Sequence, residues 1–359
     1  MTKTVTKSTA HYSEPRGKAG LQPALEDGDD EFAAEDLAGH PETNPGSPET
    51  PIEPVELVAP MDAAGLRLDQ WLAQKLPQFS RNRLKGWIES GAVTVTGEGA
   101  DPKQKIRGGE SVRVAPAPAP QEGAFLPEDI PLDIVHEDAA LIVVNKPAGM
   151  VTHPAAGNWS GTLLNALLHH APELARVPRA GIVHRLDKET SGLLVVGRTL
   201  EAQTALVRQL QARSVKRVYA ALAAGHVDGA GTIDAPIGRH PTQRTRMAVL
   251  REEQSGAKPA VTHYRPLAHY LHGEAPLTLV ECRLETGRTH QIRVHMQHIK
   301  HPLVGDAVYG STPSKSWFAR QALHARELAL IHPRSGKPVG WQAPLPPDME
   351  QLLQSLEQA

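Results

Sequence analysis

The sequence predicts an α+β protein, in which a small module of two helices followed by strands precedes a larger mixed domain. Three observations carry this reading. Leu68, Trp71, Leu72 and Leu76 recur at helical spacing. Val280, Cys282 and Leu284 alternate with Glu281, Arg283 and Glu285, the period of a half-buried strand. Between these regions, Ala115-Pro116-Ala117-Pro118-Ala119-Pro120 is a polyproline-prone spacer. A chain of 359 residues with 40% apolar content can bury more than one core.

Taken in order, residues 1–55 mix Pro, Gly, Ser, Thr and acids with little periodicity, and are expected to be a disordered acidic tail. Its bland role is solubilisation; a sharper one is competition with a polyanion for basic surface. The module is assigned to residues 61–115. After its first helix, Ser80 can cap a second from Arg81 to Glu89, which Gly91 stops. Gly86 inside that helix costs about 1 kcal/mol against Ala, so packing of Trp87 is expected to offset it. Short strands follow at Val93–Val95 and Ser111–Val114. The spacer is placed at residues 116–124 and the larger domain at 125–350. In that domain, strand-like runs (Leu141 to Asn145, Leu193 to Arg198, Arg217 to Leu222, Thr278 to Leu284) alternate with helix-like ones (Leu163 to His170, Ala202 to Arg213, His290 to His298).

Composition excludes several classes. The single cysteine, Cys282, cannot form an intramolecular disulfide or supply a cysteine-based zinc or iron–sulfur site. No run approaches the roughly 18 apolar residues of a membrane span, and the start lacks the apolar core of a secretory signal, so a cytoplasmic protein with no membrane partner is expected. There is no glycine-rich phosphate loop of Walker or dinucleotide type. The net charge of −2 averages unlike segments: residues 1–60 carry 4 Lys/Arg and 12 Asp/Glu, residues 61–115 carry 9 and 6, and residues 116–359 carry 25 and 22. The part expected to fold is thus mildly basic, as a nucleic-acid partner favours.

Gly181-Ile182-Val183-His184-Arg185-Leu186-Asp187-Lys188-Glu189-Thr190-Ser191-Gly192-Leu193-Leu194 packs charge, hydroxyls and glycines just before an apolar strand. It reads as a polar loop delivering Asp187 to the start of that strand. A turn whose Asp bonds backbone amides fits the same composition. Further on, Gly238-Arg239-His240-Pro241-Thr242-Gln243-Arg244-Thr245-Arg246 holds three arginines and no acid, either a loop gripping a phosphate backbone or a solvated one.

His184-Arg185-Leu186-Asp187 with Thr190-Ser191-Gly192 resembles the signature of the RluA-type pseudouridine synthases. So do Lys216-Arg217-Val218-Tyr219, Glu285-Thr286-Gly287-Arg288-Thr289-His290-Gln291-Ile292-Arg293-Val294-His295, and His301-Pro302-Leu303-Val304-Gly305-Asp306-Ala307-Val308-Tyr309-Gly310. The resemblance runs from about Val55 to Pro346. In relatives the loop more often reads Lys-Asp-Thr-Thr where this chain has Lys188-Glu189-Thr190-Ser191, a conservative change.

The resemblance implies a pseudouridine synthase fold, built on a bent, mixed, mainly antiparallel sheet with flanking helices, and isomerisation of uridine in 23S-type large-subunit rRNA or a precursor ribosomal subunit. The expected catalytic residues are Asp187, Tyr219 and Arg293. Asp187 is the essential carboxylate, either attacking C1′ or removing the C2′ proton. Arg293 pairs with it, Tyr219 stacks on the uracil or assists proton transfer at C5, and Arg185 fills the place of the extruded base. Thr289 is expected to cap a helix whose buried stripe is Ile292, Met296 and Ile299, leaving Arg293 to face a cleft. Tyr219 is expected on an edge strand. The module resembles an S4-type RNA-binding domain, with Arg81, Arg83 and Lys85 as candidate RNA contacts beside Lys103, Lys105 and Arg107. Arg239, Arg244 and Arg246 are further candidates.

No electrons or phosphates are exchanged in such a reaction, so no cofactor and no metal are expected. Two other readings compete. His290, His295, His298 and His301 could form a zinc site, but no carboxylate sits at ligand spacing. Asp187 with Glu189 could suggest glycoside hydrolysis. A non-catalytic ribosome-assembly protein with a dead synthase domain is a third possibility, against which the intact set Asp187, Tyr219 and Arg293 argues.

Overall fold

In the computed structural model the described residues are 54–115 and 124–359, save for 156, 244 and 245. Residues 1–53 of the acidic tail, nearly all of the Pro-Ala spacer, and Arg244 lie outside them.

The first module is a four-stranded antiparallel sheet with two helices. Its strands are β1 (Val55–Val58), β2 (Val93–Val95), β3 (Glu98–Gly99) and β4 (Ser111–Val114), in the order β1-β4-β2-β3. Because β1 pairs with β4 from Val55, the sheet begins ahead of residue 61. Helix α1 (Leu68–Lys75) and helix α2 (Arg81–Glu89) bury Leu68, Trp71, Leu72, Leu84, Trp87 and Ile88 against Val93, Val112 and Val114. Ser80 caps α2 by accepting the Arg83 amide, and Trp87 meets Phe79 edge-on at 4.8 Å between ring centroids. That contact supplies the packing which Gly86 makes necessary.

The second unit is organised by one ten-stranded sheet. Its strands are β5 (Ile134–Glu137), β6 (Leu141–Lys146), β7 (Ser191–Gly197), β8 (Lys216–Ala224), β9 (Gly231–Asp234), β12 (Val261–His272), β13 (Ala275–Leu284), β14 (Leu323–Ile331), β15 (Pro338–Gln342) and β16 (Glu357–Gln358). A separate hairpin pairs β10 (Ile237–Arg239) with β11 (Met247–Val249). The main path is β16-β12-β13-β8-β14-β7-β6-β5, with β15 on β14 and β9 on β12. All pairings are antiparallel except β7 with β14, so the sheet is mixed and mainly antiparallel.

The apolar run in β6 is explained by burial on both faces. Ile142 and Val144 join the core under helix α3 (Leu163–His170), whereas Leu141 and Val143 join the opposite core with Leu206 and Leu210 of helix α4 (Leu200–Gln211). Helix α4 starts two residues earlier than its apolar spacing suggests, because Thr199 caps it through the Ala202 amide. Helix α5 (Gln291–His298) packs Ile292 and Met296 onto the first core, and helix α6 (Pro347–Gln354) adds Met349 and Leu352 to a cluster near β13.

The parallel β7–β14 pair fixes the polar loop that precedes it. Ser191 and Gly192 register with His324 and Ala325, and Gly192 adopts φ 116°, a left-handed value that a side chain resists. A Cβ at this position would collide with the Ala325 backbone. Gly192→Ala is therefore expected to cost at least about 2 kcal/mol and to lower the calorimetric unfolding midpoint by about 4 °C or more. An unchanged midpoint would show that the strand start is not the rigid base described here.

Candidate active site

Asp187 sits in the loop just before β7, and backbone anchors on both sides define its place. Thr152 donates its hydroxyl to the Leu186 carbonyl at 2.9 Å. Buried Lys146 donates to the carbonyls of Pro147 and Met150 at 2.8 Å and of Lys188 at 3.2 Å. Arg320 donates to the Glu189 carbonyl at 3.1 Å, and Gln321 to the Thr190 hydroxyl at 3.2 Å. His184 accepts the Val195 amide through Nε2, and burial lowers its pKa to about 4, keeping it neutral. Burial also lowers the Lys146 pKa, to about 7, although Asp187 and Glu189 favour its charge. The loop is thus held mainly through main-chain carbonyls, which confine its backbone without engaging the Asp187 side chain.

Arg293 reaches Asp187 from α5. Its Nη1 donates to Asp187 Oδ2 at 3.0 Å, while Nε and Nη2 grip Asp306 Oδ2 and Oδ1 at 2.7 and 2.9 Å. Asp306 is fully buried and also accepts the amides of Val308 and Tyr309, each at 2.9 Å. Burial alone would raise the Asp306 pKa, but Arg293 and these amides hold it below the ordinary carboxylate value. Conversely, burial disfavours the Arg293 charge, and Asp306 and Asp187 together more than reverse that effect. Asp187 Oδ1 has no hydrogen-bond partner in the chain among the described residues.

One local expectation needs correction. Thr289 does not cap α5: the N-cap is His290, in the left-handed region at φ 59°, with no side-chain cap bond. The buried Gln291 amide organises this turn instead, accepting from Thr286 Oγ1 at 2.8 Å and from the Arg288 amide at 2.9 Å. Arg293 lines the cleft from within a run, Gln291 to Met296, that is buried throughout. It occupies an inner position because a second carboxylate awaits it there.

Tyr219 also departs from expectation, for β8 lies between β13 and β14 inside the sheet. Its side chain is buried and lines the same cleft as Asp187, Arg185, Arg217, Arg288, His290 and Arg293, with Leu323 of β14 between the two strands. Burial raises its pKa, Arg217 opposes that and Asp187 adds to it, so the phenol stays protonated at neutral pH. Arg185 is exposed at the mouth. Four arginines around a carboxylate suit a polyanion that brings one neutral ring to the bottom of the cleft.

The remaining sequence candidates are distributed differently. In the first module, Arg81 joins Arg67 in clasping buried Asp69, at 2.8 Å, and Lys85 lies 3.5 Å from Glu89. Arg83 stacks over Phe79 and Trp87. Arg239 is exposed at the end of β10, whereas Arg246 turns inward, 5.2 Å from the Tyr309 ring centroid. The four histidines do not converge, and among the described residues no three His, Cys, Asp or Glu side chains could hold a metal ion. Asp306 and Lys146 received no role from sequence, although Asp306 lies within one of the recognised motifs. A lysine ending an apolar strand was the only signal for Lys146.

The Arg293–Asp306 pair generates a stability test. Asp306 has a depressed pKa, so its contribution is present above about pH 3.8 and fades as pH falls through its folded value. Arg293→Met, which leaves a buried carboxylate unpaired, is expected to cost about 3–5 kcal/mol near neutral pH. The gap to the parent chain should narrow as pH falls and close only below the depressed folded value of Asp306, where it is protonated in both states. Denaturant melts across that range would check this, and a gap independent of pH would contradict the pairing.

Comparison with known proteins agrees with this geometry. Residues 140–298 match the family model described as RNA pseudouridylate synthase, and residues 66–112 match the S4 domain. Ribosomal large subunit pseudouridine synthase D of Nitrosomonas europaea is 57% identical over 309 residues, covering 84% of this chain and 88% of that protein. The protein of the same name from Escherichia coli K12 is 53% identical over 304 residues, covering 81% and 90%. The solved structure of human RNA pseudouridylate synthase domain containing 1 superposes with a TM-score of 0.53 at 29% identity, covering 65% of this chain and 90% of that one. With a polar loop, a carboxylate–arginine pair and a basic cleft at the places these matches span, the chain belongs to the RNA pseudouridylate synthase family, in the group of the ribosomal large subunit pseudouridine synthases D.

Proposed function

We propose that the protein converts particular uridines of 23S-type large-subunit rRNA, free or in a precursor subunit, to pseudouridine, with Asp187 as the reacting carboxylate. One observation carries the proposal: Asp187 is tied to Arg293 by one oxygen while the other has no partner among the described residues, in a cleft lined by further arginines. The relatives named for the ribosomal large subunit support the choice of RNA.

The reaction breaks the uracil N1 to ribose C1′ bond, turns the base in place and joins C5 to C1′. The open Asp187 oxygen can attack C1′ or take the C2′ proton, and Arg293 holds the carboxylate in place for either step. Asp306 counterbalances Arg293, so the guanidinium does not have to swing toward incoming phosphates. Tyr219 offers a ring for the uracil to stack on and a neutral hydroxyl near C5. Arg185, exposed at the mouth, occupies the stack that the extruded base leaves. The S4-like module, through Arg83, Lys85 and the outer part of Arg81, and the hairpin, through Arg239, Arg244 and Arg246, supply backbone contacts. No cofactor or metal is required, because atoms are only rearranged within one nucleotide. Among the described residues no helix is long and apolar enough to cross a membrane, and the cytoplasm, where rRNA is modified, is the proposed location.

Pseudouridine mapping of rRNA from cells with and without the gene should reveal sites lost with the protein. Asp187→Asn supplied in its place should not restore them. In vitro, that variant should bind rRNA within about threefold of the parent, because many phosphate contacts share the affinity. Its tritium release from C5-labelled uridine should fall by about a thousandfold or more. Activity within tenfold of the parent would remove Asp187 from the mechanism.

A further inference from the structure

Tyr309 follows Asp306 in the turn that completes the Arg293 clasp, and it is 2% exposed. Its ring lies 5.0 Å from the Arg293 guanidinium carbon and 5.2 Å from that of Arg246. Its hydroxyl oxygen accepts the Met247 amide hydrogen at 2.8 Å and stands 2.8 Å from His290 Nδ1. The direction of that second bond follows from counting protons. If Nδ1 carried the hydrogen, the oxygen would accept twice and its own buried hydrogen would lack an acceptor, at the cost of an unmade bond. The phenol therefore donates to Nδ1, and the imidazole proton is placed on Nε2.

His290 lines the cleft that holds Asp187 and Arg293. Burial lowers its pKa, with Arg293 and Arg185 acting in the same direction against Asp187 and Asp306, so the neutral ring persists at working pH. Its Nε2 has no partner in the chain among the described residues. Its backbone is left-handed, at φ 59° and ψ 21°, an uncommon conformation for a residue with a side chain, and such positions cluster at functional sites.

We infer that His290 is a substrate-contacting residue whose Nε2–H donates a hydrogen bond to an acceptor oxygen of the target nucleotide, a uracil carbonyl or an adjoining phosphate oxygen, with Tyr309 fixing the tautomer. The inference rests on the synthase reading above. A residue that only shaped the backbone would have no need of a defined tautomer, and one that held a metal would present a lone pair at Nε2.

Two substitutions separate these roles. In His290→Gln the terminal amide nitrogen can stand where Nε2 stood. His290→Asn reaches only as far as Nδ1, but Asn is much the better residue for a left-handed backbone. With the full chain and a synthetic RNA that the parent modifies, a donor role predicts that Gln keeps kcat/KM within about fivefold while Asn loses about tenfold or more. The thermal midpoints should rank the other way. A purely structural role predicts that activity follows stability, with Asn the better variant, and that order would overturn the inference.

Should the Gln variant fail to fold, RNAs carrying 2-thiouridine, 4-thiouridine or a methylphosphonate at the target decide through His290→Asn alone. The modification that removes the natural acceptor should weaken the parent and have no further effect on the Asn variant. Its identity tells a base carbonyl from a phosphate. If all three effects multiply with His290→Asn, the contact does not exist. If the parent modifies no large-subunit rRNA fragment from which such a synthetic RNA could be chosen, the synthase reading fails instead.

Discussion

The site depends on one guanidinium shared by two carboxylates. Arg293 grips fully buried Asp306 with two nitrogens and offers its third to Asp187. At about 4 Å, two unit charges near a protein surface interact by about 4 kcal/mol, enough to fix where the three side chains sit. Burial of both partners raises the stakes, since an ion withdrawn from water is tolerated only when its hydrogen-bonding capacity is met. Asp306 meets that condition with four donors, and in doing so it makes Arg293 a fixed post. Asp187 is then held by the post at one oxygen only.

This arrangement reaches back into the fold. Arg293 faces inward because α5 is buried from Gln291 to Met296, and Asp187 is held in register by the ties of its loop to Lys146, Thr152, Arg320 and Gln321 before it enters β7. The parallel step between β7 and β14 brings the loop beside β8, where Tyr219 sits, across the width of a single strand. Chemistry that must hold a base while its bond to the sugar is remade needs such over-determined placement, because small errors in reactant geometry cost large factors in rate.

Much of this was legible in the residues themselves, and the failures have physical causes. Alternation in Val280, Cys282 and Leu284, and the Ser80 cap, were sufficient for β13 and α2, because local periodicity and capping act within a few residues. Asp187, Arg293 and Tyr219 could be named because their motifs resemble those of a known family, whereas composition alone left Asp187 undecided between a catalytic loop and a plain turn. Asp306 carries as much of the site, yet its role was hidden. A buried carboxylate is defined by what it meets 13 residues earlier across a turn, and no local pattern encodes that. The misplaced cap at Thr289 has the same origin, since Gln291 displaced it by bonding back to Thr286 and Arg288. The strand of Tyr219 was read as an edge because pairing partners come from distant parts of the chain. Arg81, counted among RNA contacts, is largely engaged by Asp69 within its own module.

The central claim is that Asp306 acts on Asp187 only through Arg293, and a double-mutant cycle tests it most directly. Turnover at saturating rRNA would be measured for Asp306→Asn, Arg293→Gln and the pair together. If the three groups form one unit, each single change lowers turnover substantially and the double variant is no slower than Arg293→Gln alone. Multiplying losses would mean that Asp306 and Arg293 serve the reaction independently, and the account of the site would be wrong at its base.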